Sequence, residues 1–306
     1  MRILILGAGA IGGYYGARLI ETGADVSFLV RAARARQLAR EGLRVHASRG
    51  DFTRPVRALE RIDRAYDLVI VSTKAYDLGA AIDALRPAVG PSTLVLPLLN
   101  GIAHLDALDA AFGADRVLGG LCHISVTLEP DGAIRQFGAL ERLTFGDRRG
   151  AAVRADVAST LRALGDAVVE SADILAAMWD KFAFIATLAG ATCLMRGSVG
   201  DIVAVVDGAA LVARLHGECC AVAAASGHAP TPASIASAQS ILTARGSPLK
   251  ASMLRDLERG ARTECEHILG DLRQRAHALE LDVPLLIAAL AHLRVYESAL
   301  AARPAH

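Results

Sequence analysis

Lysine and asparagine are scarce in this chain, so their positions are the first place to look for chemistry. Lys74, Lys181 and Lys250 are its only lysines among 33 basic residues, and Asn100 is its single asparagine. Lys74 and Asn100 each follow an apolar run, Leu68–Ser72 and Thr93–Leu99, that reads as a buried strand. The carboxyl ends of parallel strands are where open α/β sheets bind ligands. Lys181 is embedded in Trp179-Asp180-Lys181-Phe182-Ala183-Phe184-Ile185, one of the most apolar stretches. Desolvation lowers a lysine pKa toward the range useful for proton transfer near neutral pH. The competing reading is a stem packed on the core with its ammonium reaching water or pairing with an acid. Glu264 heads the line Ile268, Leu272, Ala276, Leu279 on a segment, Arg262–Leu281, that reads as a helix. It is therefore expected to point inward and to want a partner such as a lysine or a substrate hydroxyl. His267 and Asp271 read as the polar flank of that helix rather than as metal ligands.

A second cluster of chemistry lies at the chain start. Gly7-Ala8-Gly9-Ala10-Ile11-Gly12 follows the apolar run Arg2–Gly7 and opens a helical segment, Ile11–Glu21. The first glycine permits a tight turn, the second lets backbone approach a pyrophosphate, and the third lets helix pack on strand. The helix N-terminus, including the N–H groups of Ala10 and Ile11, offers donors and a positive dipole end to phosphate. Where an NAD enzyme carries an acid at the end of the second strand, this chain has Arg31, with Arg34 one turn on. A guanidinium suits a 2′-phosphate, so NADP(H) is the expected cofactor.

The elements that must position these groups fall into two halves. Buried-strand runs at Arg2–Gly7, Asp25–Val30, Leu68–Ser72 and Thr93–Leu99 alternate with helices at Ile11–Glu21, Ala32–Glu41 and Leu78–Leu85, which predicts a doubly wound parallel sheet. An antiparallel extension comes next: Leu118–Leu128, a turn at Glu129–Gly132, then Ala133–Phe137 and Arg142–Phe145. A helix (Ala152–Leu164) and a strand (Ala167–Glu170) close the first domain. From about Ile174 the pattern is helical throughout. The expected architecture is an α/β Rossmann-type NADP-binding domain over 1–170 and an all-helical substrate domain over 171–306.

Composition narrows the partners. A net charge of +1 offers no footprint for nucleic acid or anionic membrane. The most membrane-like stretch, Ile174–Met195, is interrupted by Asp180 and Lys181 and reads as a buried helix. Five cysteines without CxxC spacing argue against a zinc site or disulfide framework and read as reduced thiols of a cytoplasmic protein.

Taken together, these residues resemble the ketopantoate reductase (2-dehydropantoate 2-reductase) family along nearly the whole chain. GAGAIGG looks like its nucleotide loop, with Arg31 at the phosphate position. Val71-Ser72-Thr73-Lys74-Ala75-Tyr76 resembles its lysine segment facing the cofactor, and Leu99-Asn100-Gly101 its Asn-Gly motif, which contacts substrate and nicotinamide. Trp179-Asp180-Lys181 resembles the segment of the general-acid lysine. The stretches around Ser252 and Thr263-Glu264 look like its serine and glutamate substrate contacts. The resemblance implies reduction of a 2-oxo acid by NADPH, nominally 2-dehydropantoate to (R)-pantoate in pantothenate biosynthesis. Lys181 would be the proton donor and Glu264 would hold it and a substrate hydroxyl. Asn100 and Ser252 would orient the substrate, and Lys250 would add charge near its carboxylate. The resemblance places this site in a cleft between the domains.

One departure changes the expectation. Family members carry asparagines four and eight residues after that lysine, whereas this chain has Ile185 and Ala189. The loss of two amides makes that wall apolar, which favours a different 2-oxo or 3-oxo acid as an alternative substrate. A third reading, a non-catalytic NADP-binding sensor, would need neither Lys181 nor Glu264. The sequence leaves oligomeric state open, with a homodimer as the one assembly considered.

Overall fold

Strand β1 (Arg2–Leu6) is buried from Ile3 onward, as its unbroken aliphatic run requires. It leads into α1 (Ala10–Glu21), then β2 (Asp25–Leu29) and α2 (Ala32–Glu41). Three short strands come next: β3 (Leu43–His46), β4 (Phe52–Arg54) and β5 (Arg57–Leu59). The alternation then resumes with β6 (Leu68–Val71), α3 (Leu78–Leu85), β7 (Leu94–Pro97) and α4 (Ala103–Phe112). The computed structural model describes residues 1–302.

The first sheet has the order β5-β2-β1-β6-β7 and all its pairings are parallel. Ile3 pairs with Val26 on one side and Leu68 on the other. The connections run outward from β1 in both directions, so the switch point that binds ligands in such sheets lies at the ends of β1 and β6. The arginine-bearing β3, β4 and β5 are not among the strands that the sequence predicts. Only three or four residues long, they show little apolar periodicity, yet β5 completes the sheet beside β2.

The antiparallel ribbon consists of β8 (Gly119–Leu128) and β9 (Ile134–Gly146), with a shift of register between Ile124 and Val126. It belongs to a second, mixed sheet in which β9 also pairs in parallel with β3 and with β10 (Val168–Glu170), and β3 pairs antiparallel with β4. Helix α5 (Ala155–Arg162) precedes β10. A Cβ at Gly13 would overlap Ile134, and one at Gly16 would overlap the Phe28 ring. This row of glycines on α1 lets the helix lie against both sheets, and Ile5, Phe28, Leu43, Ile134 and Phe145 join in one core.

By its contacts the chain divides into Met1–Leu175 and the residues from Ala176 onward. From Ile174 the described residues contain helices and no strand. They are α6 (Ile174–Met195), α7 (Val199–Ala204), α8 (Gly208–Ala225), α9 (Pro232–Leu242), α10 (Ser252–Glu258), α11 (Asp271–Ala278) and α12 (Pro284–Ala301). Residues 303–306 of the expected second domain lie outside the described range. By length and composition α6, α8 and α12 are each long and apolar enough to cross a membrane, and α6 is the most buried of the three within the fold. Start signals are local at α7, where Ser198 and Asp201 form a capping box, and at α9, which Thr231 caps. Helix α12 has no such residue at Val283. Instead the Glu218 carboxylate on α8 accepts from the N–H groups of Leu285 (3.1 Å) and Leu286 (2.9 Å).

The helix expected over Arg262–Leu281 differs in two ways. It begins after Glu264 with a π turn, Glu266–Gly270, before α11, and Leu279 at its end is 40% exposed rather than inward. Ile268 and Leu269, neighbours in sequence within the π turn, are both buried.

Candidate active site

The glycine loop separates three physical demands. Gly7 has φ +90°, a conformation that other residues adopt only under strain. At Gly12 a Cβ would overlap the Ser72 hydroxyl and the Gly7 carbonyl oxygen, so only glycine lets α1 approach β1 this closely. Gly9 differs from both. Its φ is −81° and a Cβ there would meet nothing within 4 Å. Nothing in the fold requires glycine at that place, whereas a dinucleotide lying against the backbone would. Gly9 also caps α1 without any side-chain hydrogen bond, which leaves the first N–H groups, those of Ala10 and Ile11 among them, for a ligand. The loop therefore fits a pyrophosphate.

Arg31 and Arg34, adjacent candidates for a phosphate, have different positions. Arg31 precedes α2 with its side chain 83% exposed, and its guanidinium reaches Asp77 Oδ2 at 3.0 Å. Arg34 is occupied by the fold. Its Nε and Nη2 donate to the Ala8 carbonyl (3.2 and 2.9 Å), and Nη1 donates to Gln37 Oε1 (2.7 Å) and the Gly132 carbonyl (2.9 Å). Burial lowers its pKa, helped by the charge of Arg44. Arg34 thus ties the nucleotide loop to the β8–β9 turn, a role that the sequence does not reveal.

Lys74 is exposed and follows β6, and the partly exposed Asn100 follows β7 and precedes Gly101, whose φ is +80°. Both lie at carboxyl ends of parallel strands, on the side of the sheet where the loop after β1 lies. Thr73 keeps a buried hydroxyl beside Lys74.

In the helical unit Lys181 sits in the second turn of α6, partly buried, two residues after Trp179. Trp179 is 4% exposed and stacks on His228 with ring centroids 5.4 Å apart. The Arg275 guanidinium lies 5.5 Å from its ring centroid and pairs with Asp271 at 3.0 Å. These contacts fix the stretch of α6 that carries Lys181, and no sequence pattern points to them. Ile185, one turn on, is partly buried, and Ala189, two turns on, is 4% exposed.

Ser252 is exposed at the first position of α10. Lys250, two residues earlier, directs its ammonium to Glu258 Oε1 at 2.7 Å. Glu264 is partly exposed immediately before the π turn. Of its neighbours on that segment, Asp271 pairs with Arg275, and no group of three metal-ligating side chains gathers among the described residues. Burial pushes the thiols of Cys193 and Cys219 up to about 12 and that of Cys220 up to about 11. At neutral pH these cysteines are protonated and poorly nucleophilic.

A Rossmann sheet with an uncapped glycine loop, followed by an all-helical unit, is the architecture of nicotinamide-dependent oxidoreductases. The ketopantoate reductase PanE/ApbA description matches residues 3–150, and its C-terminal counterpart matches residues 173–297. The chain belongs to the ketopantoate reductase family. It is 37% identical to the uncharacterized oxidoreductase YkpB of Bacillus subtilis (strain 168), over 97% of this chain and 99% of that one. It is 31% identical to a 2-dehydropantoate 2-reductase of Halobacterium salinarum, over 94% of this chain and 95% of the relative. The crystal structure of 2-dehydropantoate 2-reductase from Geobacter metallireducens superposes with a TM-score of 0.88 at 28% identity, covering 96% and 99% of the two chains.

Proposed function

We propose that this protein reduces a small 2-oxo acid to its 2-hydroxy acid with NADPH. The observation that carries the reading is a partly buried Lys181 on the largely buried helix α6, followed by Ile185 and Ala189, in a chain of this family. The Gly7–Gly12 loop would hold the pyrophosphate of the dinucleotide, whose reduced nicotinamide would supply a hydride. Arg31, exposed at the end of β2, binds the 2′-phosphate, and Lys74 faces the cofactor from the end of β6. Lys181 gives a proton from Nζ to the oxygen that becomes the new hydroxyl, and its charge stabilises that oxygen as it turns anionic. Glu264 holds the ammonium and the substrate in register, while Asn100 and Ser252 orient the substrate. Lys250 contributes to a carboxylate only when its pair with Glu258 opens.

The wall beside Lys181 sets the substrate. Neither Ile185 nor Ala189 can hydrogen-bond a substrate hydroxyl through its side chain. A site that bonds a hydroxyl discriminates strongly, and an apolar wall does not. The substrate is therefore a 2-oxo acid with an apolar branched side chain in preference to 2-dehydropantoate. A cytoplasmic role in pantothenate biosynthesis belongs to the 2-dehydropantoate alternative.

The test is the loss of reduced-nicotinamide absorbance across a panel of 2-oxo acids, with NADPH and NADH compared. At least one branched 2-oxo acid should be turned over, and faster with NADPH. Tight NADPH binding without oxidation by any member would replace the reductase with the sensor reading.

A further inference from the structure

Helix α12 grips the chain on both sides of Glu264. Tyr296 donates its hydroxyl to the Ala261 carbonyl at 2.8 Å. Glu297 Oε1 accepts from both the N–H and the hydroxyl of Thr263, each at 2.6 Å, and Thr263 is 4% exposed. Arg294 donates from Nε (2.7 Å) and Nη2 (2.8 Å) to the two carboxylate oxygens of Glu266. Glu264 lies between the last two anchors, one residue past the first and two before the second.

The π turn just beyond Glu264 is the reason anchors are needed. Such a turn is less favourable than the α-helix it interrupts, and π turns concentrate at functional sites. Here it runs from Glu266 to Gly270. A Cβ on Gly270 would come within 2.6 Å of Glu266 Oε2, so the glycine leaves room for the carboxylate that Arg294 holds. The bidentate fork fixes the direction of that carboxylate as well as its distance. An acceptor on one side and a donor on the other leave the intervening residue little freedom to roll.

We propose that Glu297 and Arg294 are positioning residues that set the direction of the Glu264 carboxylate toward the substrate. The proposal rests on the reading of Glu264 as a substrate contact. It predicts that residues on the last described helix, with no substrate contact of their own, control substrate affinity.

The test compares E297A, E297Q, R294A and E264Q, with 2-dehydropantoate and 3-methyl-2-oxobutanoate as probes. E297A should raise KM for the 2-oxo acid about tenfold, the scale of a lost charged hydrogen bond, and lower kcat no further than E264Q does, with NADPH affinity little changed. E297Q keeps an oxygen that accepts both Thr263 bonds and should restore KM to within about twofold of the unmodified protein. R294A removes an exposed pair that the fold tolerates losing, so a raised KM in that variant supports positioning even if E297A does not fold. A raised KM in E264Q with unchanged KM in E297A and R294A would overturn the proposal alone. No effect in E264Q, or no turnover by the unmodified protein, would overturn the reading of Glu264 and the proposal with it. A parallel fall in kcat and NADPH binding would reduce both residues to general support of the fold.

Discussion

The loop from Gly7 to Gly12 and the turn from Thr263 to Gly270 are both backbone irregularities placed beside candidate functional groups, yet they are built in opposite ways. The first is made within six residues by positive φ, close approach and an uncapped helix end. The second is held from more than twenty residues away by side chains of α12. Local backbone demands leave a mark on the sequence because only glycine meets them. A turn held by distant carboxylates and guanidinium groups leaves none, since charged residues are unremarkable on any helix.

The comparison is most easily broken at the glycines. Gly12→Val should cost about 3 kcal/mol of stability through overpacking against Ser72 and the Gly7 carbonyl, read as a lower midpoint in denaturant. Gly9→Ala should leave that midpoint nearly unchanged while weakening NADPH, because its side chain enters only the space that a ligand would use. Equal destabilisation by both would show that Gly9 serves the fold.

The two arginines sharpen the same contrast. Arg31→Ala should weaken NADPH by about 1–3 kcal/mol and leave NADH unaffected, as expected for a lost charged hydrogen bond to phosphate. Arg34→Ala should weaken both cofactors alike and lower stability, since it removes the bonds to Ala8 and Gly132. Dissociation constants by calorimetry decide between them, and a selective NADPH loss in Arg34→Ala would exchange their roles.

A smaller effect is expected at the apolar wall. Ile185→Asn should improve turnover of 2-dehydropantoate by the equivalent of about 0.5–1.5 kcal/mol, one hydrogen bond. Adding Ala189→Asn should help less, because Ala189 is 4% exposed and an amide there must also be accommodated in a packed helix. Efficient use of 2-dehydropantoate by the unmodified protein, unimproved by Ile185→Asn, would remove the apolar-substrate reading.

The same contrast between local and distant causes governs how much of the molecule is legible in its sequence. The strands β1, β2, β6 and β7, and helices α1 to α3, are readable because each is a long enough run of one periodicity. The pairs β3 with β4 and β2 with β5 are not, since three or four residues with interspersed arginines carry too little pattern. Arg31 can be placed at the end of β2, but the bond from Arg34 to the Gly132 carbonyl depends on a turn nearly a hundred residues away. The apolar line behind Glu264 holds at Ile268, Leu272 and Ala276, all buried, and fails at Leu279, because the helix ends at Ala278. Trp179 is visibly rare, but its stack on a ring from a different segment leaves no sequence signal.

The most direct test of the division of labour is Lys181→Ala, with turnover and NADPH dissociation measured on the same preparation. Turnover should fall by about 10²–10⁴-fold, the range for a lost general acid, while the NADPH dissociation constant stays within about twofold. A loss of only a few-fold, accompanied by a lower unfolding midpoint, would make Lys181 a packing lysine of α6 and contradict the central claim.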